Sequence, residues 1–433
     1  MTRSPNVLQL REYEAARIGA RWDPDRKIIP IHVVMELERL QSLQRREFFQ
    51  ISRQRVKAKN FVGVVGVGDL AVEVLPKTDD ETVSARRRLV EMLSVAGFVP
   101  HLDAGVAELT KSTPCLLDAF MQAYVRQLAL EWRRGRIADY QRTDANRTCL
   151  RGKLLFSEQL RRNRLRPERF FTRADEFLAD VPPARLLKAG LQVCRRHGVS
   201  DSTRRTATSL IPEFDDVSDW TFTDAELDGV QADRKIARFE PLLTLAKRFV
   251  RGCVPDRPGG AATFSLLFDM NVVFERYIGN LLRRACPPAC RAQLQVSGRS
   301  LVLRGGKARF GLVPDAAIRR GNEFSCLIDT KWKVLRPNKT HAGVLQADMY
   351  QAYAYAKEFD CPSVILLFPQ NAGLPQRVAD YRLNPGDETS PRIDVRAIDV
   401  TATRAAVVRQ LREIIGEAMS AGTSVRTNEY QTP

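Results

Sequence analysis

The chain has 433 residues, 44% of them hydrophobic, and its 68 lysines and arginines against 51 acidic residues give a formal charge of +17. That length implies two or three domains, because one core rarely grows past roughly 250 to 300 residues, and the charge points to a polyanion, nucleic acid first. No apolar run reaches the roughly 18 residues of a membrane span, and the N-terminus has no secretory signal pattern, so a cytoplasmic place and reduced thiols are expected.

The first hundred residues read as mostly β. "FVGVVGVGDLAVEVLPK" (61–77) offers two β-branched runs around Gly66 and Gly68, a hairpin pattern. Its glycines do not make a nucleotide loop, since no Lys-Ser/Thr pair opens a helix after them. No such loop occurs elsewhere, so nucleotide hydrolysis must belong to a partner.

From about Ser84 to Arg196 the spacing turns helical. "LLDAFMQAYVRQLALEWRRGR" predicts a helix stopped by Gly135, and "PARLLKAGLQVCRRHG" a second ending at Gly198. Between them lies a stretch crowded with arginine, a candidate nucleic-acid or partner surface. Residues 199–235 read as a polar connection, and "CVPDRPGG" (253–260) punctuates the chain before the last region.

That region begins with a predicted long helix, "FSLLFDMNVVFERYIGNLLRRAC". The strand candidates "AQLQVSG", "SLVLRGG", "ARFGLVPDAAIRR" and "EFSCLIDTKWKVL" follow. A helix over 342–359, the strands "SVILLFP" and "RIDVRAIDV", and a closing helix over 403–419 complete an α/β pattern. The expected class is multi-domain α/β: a β-rich N-terminal domain (1–105), a helical middle region with a basic surface (106–255) and an α/β C-terminal domain (256–433). Of the eight cysteines only Cys286 and Cys290 are close, with no histidine near, which argues against zinc.

Two aspartates and a lysine stand out in the strand runs. Asp329 and Lys331, two apart, emerge on one face of an extended strand, with Ile328, Thr330 and Trp332 on the other. A two-residue Gly321-Asn322 turn would set Asp315 opposite Ile328, whereas a three-residue loop or a bulge would bring Asp315 and Asp329 to the same side. The latter is predicted. Convergent carboxylates repel unless a cation sits between them. Mg²⁺, with Mn²⁺ as a substitute, suits one or two carboxylates, waters and a substrate phosphate. Lys331 would steady the attacking water and the charge growing on phosphorus, which describes metal-assisted phosphodiester hydrolysis.

Pro314-Asp315 followed by Asp329-Thr330-Lys331 resembles the PD-(D/E)xK nuclease motif, which implies a restriction-endonuclease-like core for residues 256–433. In that superfamily a helix-borne acid ahead of the core strands often completes the metal shell, and Glu275, beside an apolar helix stripe, matches it. Gln351 and Tyr355, sharing a helix face with Asp348, are similar to a Gln-x-x-x-Tyr pattern that supports the site or touches DNA.

Further landmarks occur in order: "LREYE" (10–14), "AVEVLPK" (71–77), "RGRIADY" (134–140), "LRGKL" (150–154), "NVVFERYI" (271–278), "LIDTKWK" (327–333) and "DMYQAYAYA" (348–356). Together they resemble the McrC family over roughly residues 8–420, most weakly across 199–260. The resemblance implies a DNA endonuclease subunit of a modification-dependent (5-methylcytosine type) restriction system, acting in antiviral defence. It also implies recruitment by, and stimulation of, an McrB-like AAA+ GTPase through the N-terminal part. Arg134, Arg136, Arg151 and Lys153 are the candidates for contact with that partner or with DNA. The alternatives are a stand-alone repair nuclease and a non-cutting DNA-binding adaptor that activates the motor.

Overall fold

The computed structural model describes residues 6–78, 81–100, 113–253, 262–305, 307–371, 373–384 and 390–427. The proline and glycine stretch expected to separate the middle and last regions lies, from residue 254, outside the described residues. The architecture is mixed α/β, with several sheets and eleven α-helices among the described residues.

The N-terminal part holds β1 (Asn6–Arg11), β2 (Ala15–Gly19), β3 (Ile28–Pro30), α1 (Ile31–Gln44), β4 (Phe49–Ile51), β5 (Arg55–Ala58), β6 (Phe61–Val67), β7 (Leu70–Leu75) and α2 (Thr82–Val95). Strands β6 and β7 form the expected antiparallel hairpin. Helix α1 is an element that the mostly β reading did not name: its Val33, Val34, Leu37 and Leu40 fall at helical spacing and are buried on the small sheet β3-β2-β5-β4.

The middle part holds α3 (Leu116–Arg134), β8 (Asp139–Arg147), β9 (Lys153–Leu154), α4 (Phe156–Arg162), β10 (Phe170–Leu178), α5 (Pro182–His197), α6 (Asp201–Leu210), α7 (Asp224–Gly229) and α8 (Glu240–Gly252). Gly135 and Gly198 stand at the C-caps of α3 and α5, as predicted. The region is not wholly helical: its arginine-rich stretch builds the three-stranded sheet β8-β10-β9, where exposed and half-buried residues alternate on β8. That pattern hides a strand from a search for apolar runs.

The run read as the start of a long helix is instead a strand, β11 (Thr263–Asp269), followed by α9 (Met270–Ala285). Buried on both faces, β11 pairs antiparallel with β6 and completes the sheet β1-β7-β6-β11. A Cβ on Gly63 would lie 1.9 Å from the Leu266 carbonyl oxygen, so this pairing requires glycine there. Asp269 ends the strand and caps α9 through the Asn271 N–H.

The last part contains β12 (Arg291–Leu294), β13 (Arg299–Arg304), β14 (Lys307–Leu312), β15 (Ala316–Arg320), β16 (Glu323–Thr330), α10 (Gln346–Glu358), β17 (Ser363–Pro369), β18 (Arg377–Arg382), β19 (Arg392–Ile398) and α11 (Arg404–Thr427). The predicted strand 308–320 splits at Val313–Asp315 into β14 and β15, and β18 is an edge strand absent from the expectation. The six-stranded sheet runs β12-β15-β16-β17-β19-β18, with β16, β17 and β19 mutually parallel. Its faces alternate residue by residue. Ile318, Cys326, Ile328 and Ile365 pack with α9 and α11, while Ala317, Leu327, Val364 and Leu366 pack with α10.

The largest apolar cluster runs through all three regions, from Val62 and Leu89 by Tyr124 and Leu187 to Phe274 and Ile365. A buried pair reinforces it: Arg86 Nη2 on α2 lies 2.7 Å from Glu73 Oε2 on β7, and Glu73 also accepts the first N–H of α3 at 2.8 Å. No helix among the described residues is long and apolar enough to cross a membrane.

Candidate active site

Strands β15 and β16 bring the two aspartates together through a bulge. Their turn is the two-residue Gly321-Asn322, closed by Arg320 opposite Glu323. The register then shifts between Ile318 and Arg319, leaving Ser325 extra, so that Ala316 faces Ile328. Continued one step outward, that register sets Asp315 opposite Asp329, and the Asp315 charge acts on the Asp329 carboxyl.

Thr330 ties the pair. Its N–H donates to Asp315 Oδ2 at 2.7 Å and its hydroxyl donates to the same oxygen at 2.6 Å. This corrects the expectation that Thr330 simply points away from the acids: β16 ends there, and the chain turns across the end of Asp315. Lys331 lies just beyond the strand, but its N–H still donates to the Leu367 carbonyl at 2.8 Å, which keeps the β16 alignment with β17.

Asp329 is 2% exposed, and burial pushes its carboxyl up to about 6, with Asp315 adding to the rise and Lys331 opposing it. Lys331 Nζ lies 2.7 Å from Asp329 Oδ2. At that distance the ammonium makes a charge-assisted contact that opposes the rise of the carboxyl. Lys331 also donates to Gln351 Oε1 at 2.8 Å. Gln351 Nε2 donates to the Tyr355 hydroxyl at 2.7 Å, and Tyr355 donates to the Val313 carbonyl at 3.2 Å. One turn of α10 therefore links Lys331 back to the segment that carries Asp315. Asp348, on the same helix, pairs with Lys333 at 2.9 Å.

Glu275 on α9 lines a cleft of about 540 Å³ with Gln295, Asp315, Arg276 and Asn280. It accepts a hydrogen bond from Gln295 Nε2. Burial, with Asp315 nearby, raises its carboxyl above the usual range. Gln295 has a left-handed φ of 49° and its N–H donates to the Asp315 carbonyl at 2.8 Å, so one residue touches both acids. Neither Gln295 nor Thr330 stood out in the sequence. Their significance comes from a positive φ and a strand end, which composition does not show.

Among the described residues no three His, Cys, Asp or Glu side chains are gathered as a metal cage, so Glu275 is not drawn into one with the aspartates. A two-carboxylate site for a hard divalent ion fits what is present. The buried Asp329 carboxylate interacts with that of Asp315, and both bonds to the Asp315 side chain fall on Oδ2.

The basic candidates lie elsewhere. Arg134, at the end of α3, pairs with Glu131 at 2.8 Å, and Arg136 lies 3.8 Å from Asp216. Arg151 and Lys153 are exposed, at and just before β9. None bonds to Asp315, Asp329 or Lys331.

Among solved structures the chain is similar to one from a refined half-complex of the tetradecameric assembly of Thermococcus gammatolerans McrB AAA+ hexamers with bound McrC. The TM-score is 0.72 at 18% identity, covering 95% of this chain and 100% of that one. A second similarity is to the cryo-EM structure of the Thermococcus gammatolerans McrBC complex, with TM-score 0.52 and 22% identity over 65% of this chain and 88% of that one. At these identities the likeness establishes the fold. The comparison with curated proteins gives no match. The family model for the McrBC 5-methylcytosine restriction system component matches residues 56–369, well over half of the sequence. The chain therefore belongs to the family of McrBC 5-methylcytosine restriction system components.

Proposed function

We propose that this chain is the endonuclease subunit of an McrBC-like modification-dependent system, hydrolysing DNA phosphodiesters with Mg²⁺ and working with an McrB-like AAA+ GTPase that it stimulates. The observation that carries the reading is the convergence of Asp315 and Asp329 at the end of two strands, with Lys331 against Asp329. The structural neighbour with bound McrB hexamers supports the partner, and the chain itself carries no nucleotide loop.

Asp315 and Asp329 would hold the ion, and Glu275, tied to Gln295, would serve it from the cleft through water. Bound there, Mg²⁺ supplies Lewis-acid polarisation of the scissile phosphate and a more acidic water. Thr330 fixes the direction of the Asp315 carboxylate. Lys331, aimed by Gln351, binds the attacking water and the negative charge that grows on the phosphate oxygens. Tyr355 holds Gln351 and so acts at one remove.

The hairpin of β13 and β14 supports duplex DNA as the substrate. It forms a sheet of its own and leads within three residues to Asp315. It carries Arg299, Arg304, Lys307 and Arg309, all exposed, and no acid between residues 299 and 312. Such a stripe fits a phosphate backbone.

Lys331→Ala tests the reading, assayed with the AAA+ partner, GTP, Mg²⁺ and methylated plasmid. Cutting should fall by about 10²- to 10³-fold, the scale of losing one preorganised charge-stabilising group, while GTPase stimulation persists. Wild-type cutting by this variant would overturn the assignment.

A further inference from the structure

Three landmarks far apart in sequence meet at one buried point beside the candidate site. Glu12 follows β1 in "LREYE", Lys77 follows β7 in "AVEVLPK", and Trp332 follows Lys331 in "LIDTKWK". Glu12 is 4% and Trp332 2% exposed. The indole N–H is shared between the two Glu12 carboxylate oxygens, each at 2.9 Å. The Lys77 N–H donates to Glu12 Oε2 at 3.2 Å, and its ammonium donates to the Trp332 carbonyl at 3.2 Å while lying 3.9 Å from Glu12 Oε1. On its other side the Trp332 ring packs on Phe274, with centroids 5.2 Å apart. Phe274 immediately precedes Glu275.

A buried carboxylate and a half-buried ammonium are costly to desolvate, and apolar side chains would fill this space more cheaply. Burial does push the Glu12 carboxyl up and the Lys77 ammonium down. What the polar pair adds is direction. It grips both the side chain and the carbonyl of the residue after Lys331, where β16 has ended and pairing no longer holds the chain.

We propose that Glu12 and Lys77 are positioning residues of the candidate nuclease site: from the N-terminal part they clamp Trp332, and through it fix Lys331 on one side and Glu275 on the other. The link to cutting rests on the nuclease reading above. The clamp on the strand end does not.

The test uses the full chain. Glu12→Leu and Trp332→Phe remove the hydrogen bond, and Glu12→Gln keeps an acceptor for the indole. Hydrogen exchange followed by mass spectrometry should show the amides of residues 330–335 exchanging at least tenfold faster in Glu12→Leu and Trp332→Phe, with β17 and β19 unchanged and Glu12→Gln close to wild type. With the AAA+ partner, GTP, Mg²⁺ and methylated plasmid, single-turnover cutting should fall at least tenfold in the same two variants, at unchanged DNA affinity. Unchanged exchange at 330–335, or faster exchange spread equally over β17 and β19, would overturn the clamp. If exchange rises locally but Lys331→Ala cuts like wild type, the nuclease reading fails and the clamp stands.

Discussion

Thr330 donates twice to one oxygen of Asp315, through its backbone N–H and its hydroxyl, so the residue between the second aspartate and the lysine orients the first aspartate. The hydroxyl bond is separable by Thr330→Val, which keeps shape and β-branching. A buried hydrogen bond of this kind contributes about 1 kcal/mol or somewhat more. Thr330→Val should therefore lower Mn²⁺ affinity, measured by calorimetry, about five- to tenfold, with a similar loss of cutting. Unchanged affinity would mean that Asp315 needs no such guide.

The bulge makes an unusual prediction about length. With every residue kept and no bulge, the Gly321-Asn322 turn would set Asp315 against Ile328. Because Ser325 is the extra residue, deleting it leaves Asp315 level with Asp329 and merely regularises the ladder. Deletion of Ser325 should retain cutting within about tenfold by the local cost of a bulge. Inserting a glycine after Ser325 should abolish it by swinging Asp329 to the other face. If the deletion is inactive but folded by circular dichroism, the bulge has a further role.

Such relationships mark how far the residues alone can be read. Asp315, Asp329 and Lys331 can be singled out because motif and strand period act within about twenty residues, whereas the bulge that sets their register has no signature in the residues. Gln295 reaches Glu275 and the Asp315 carbonyl only through a left-handed backbone turn, and Glu12 meets Trp332 across 320 positions; no periodicity encodes either. Strand β11 reads as helix because a stretch as short as TFSLLFD, ahead of a true helical pattern, fits a buried strand and a helix equally, and its pairing with β6 decides between them. Helix α1 was different, since its spacing of Val33, Val34, Leu37 and Leu40 was there to be seen.

Asp329 sets a pH dependence. Burial pushes its carboxyl up to about 6 from an ordinary 3.8, so the folded state holds the proton more tightly than the unfolded chain. Without metal, stability should fall as pH rises from about 4 to about 6 and then level off, a total of about 2 to 3 kcal/mol at roughly 1.4 kcal/mol per pH unit. Asp329→Asn should thus melt higher than wild type at pH 7.5 in EDTA and equally near pH 4. A variant that melts lower at pH 7.5 would show that the carboxylate stabilises the metal-free fold.

The lysine has its own support. Gln351→Leu removes the acceptor at 2.8 Å that aims Lys331 and leaves the ammonium with Asp329 alone. Cutting should drop about ten- to a hundredfold, as a misdirected charge-stabilising group costs a few kcal/mol. Tyr355→Phe, one bond further away, should cost only several-fold. Equal losses in the two variants would place Tyr355 in contact with the substrate.

The hairpin of β13 and β14 is tested by salt. Each phosphate that a lysine or arginine neutralises on duplex DNA contributes about 0.9 to the slope of log affinity against log salt. Arg304→Gln combined with Arg309→Gln should reduce that slope by about 1 to 2 and weaken binding alike on methylated and unmethylated duplexes, since backbone contacts carry no sequence information. Both side chains are exposed, so melting temperature should not move. A slope that stays at the wild-type value would assign the duplex to another face, with the arginine-rich sheet β8-β10-β9 as the next surface to neutralise.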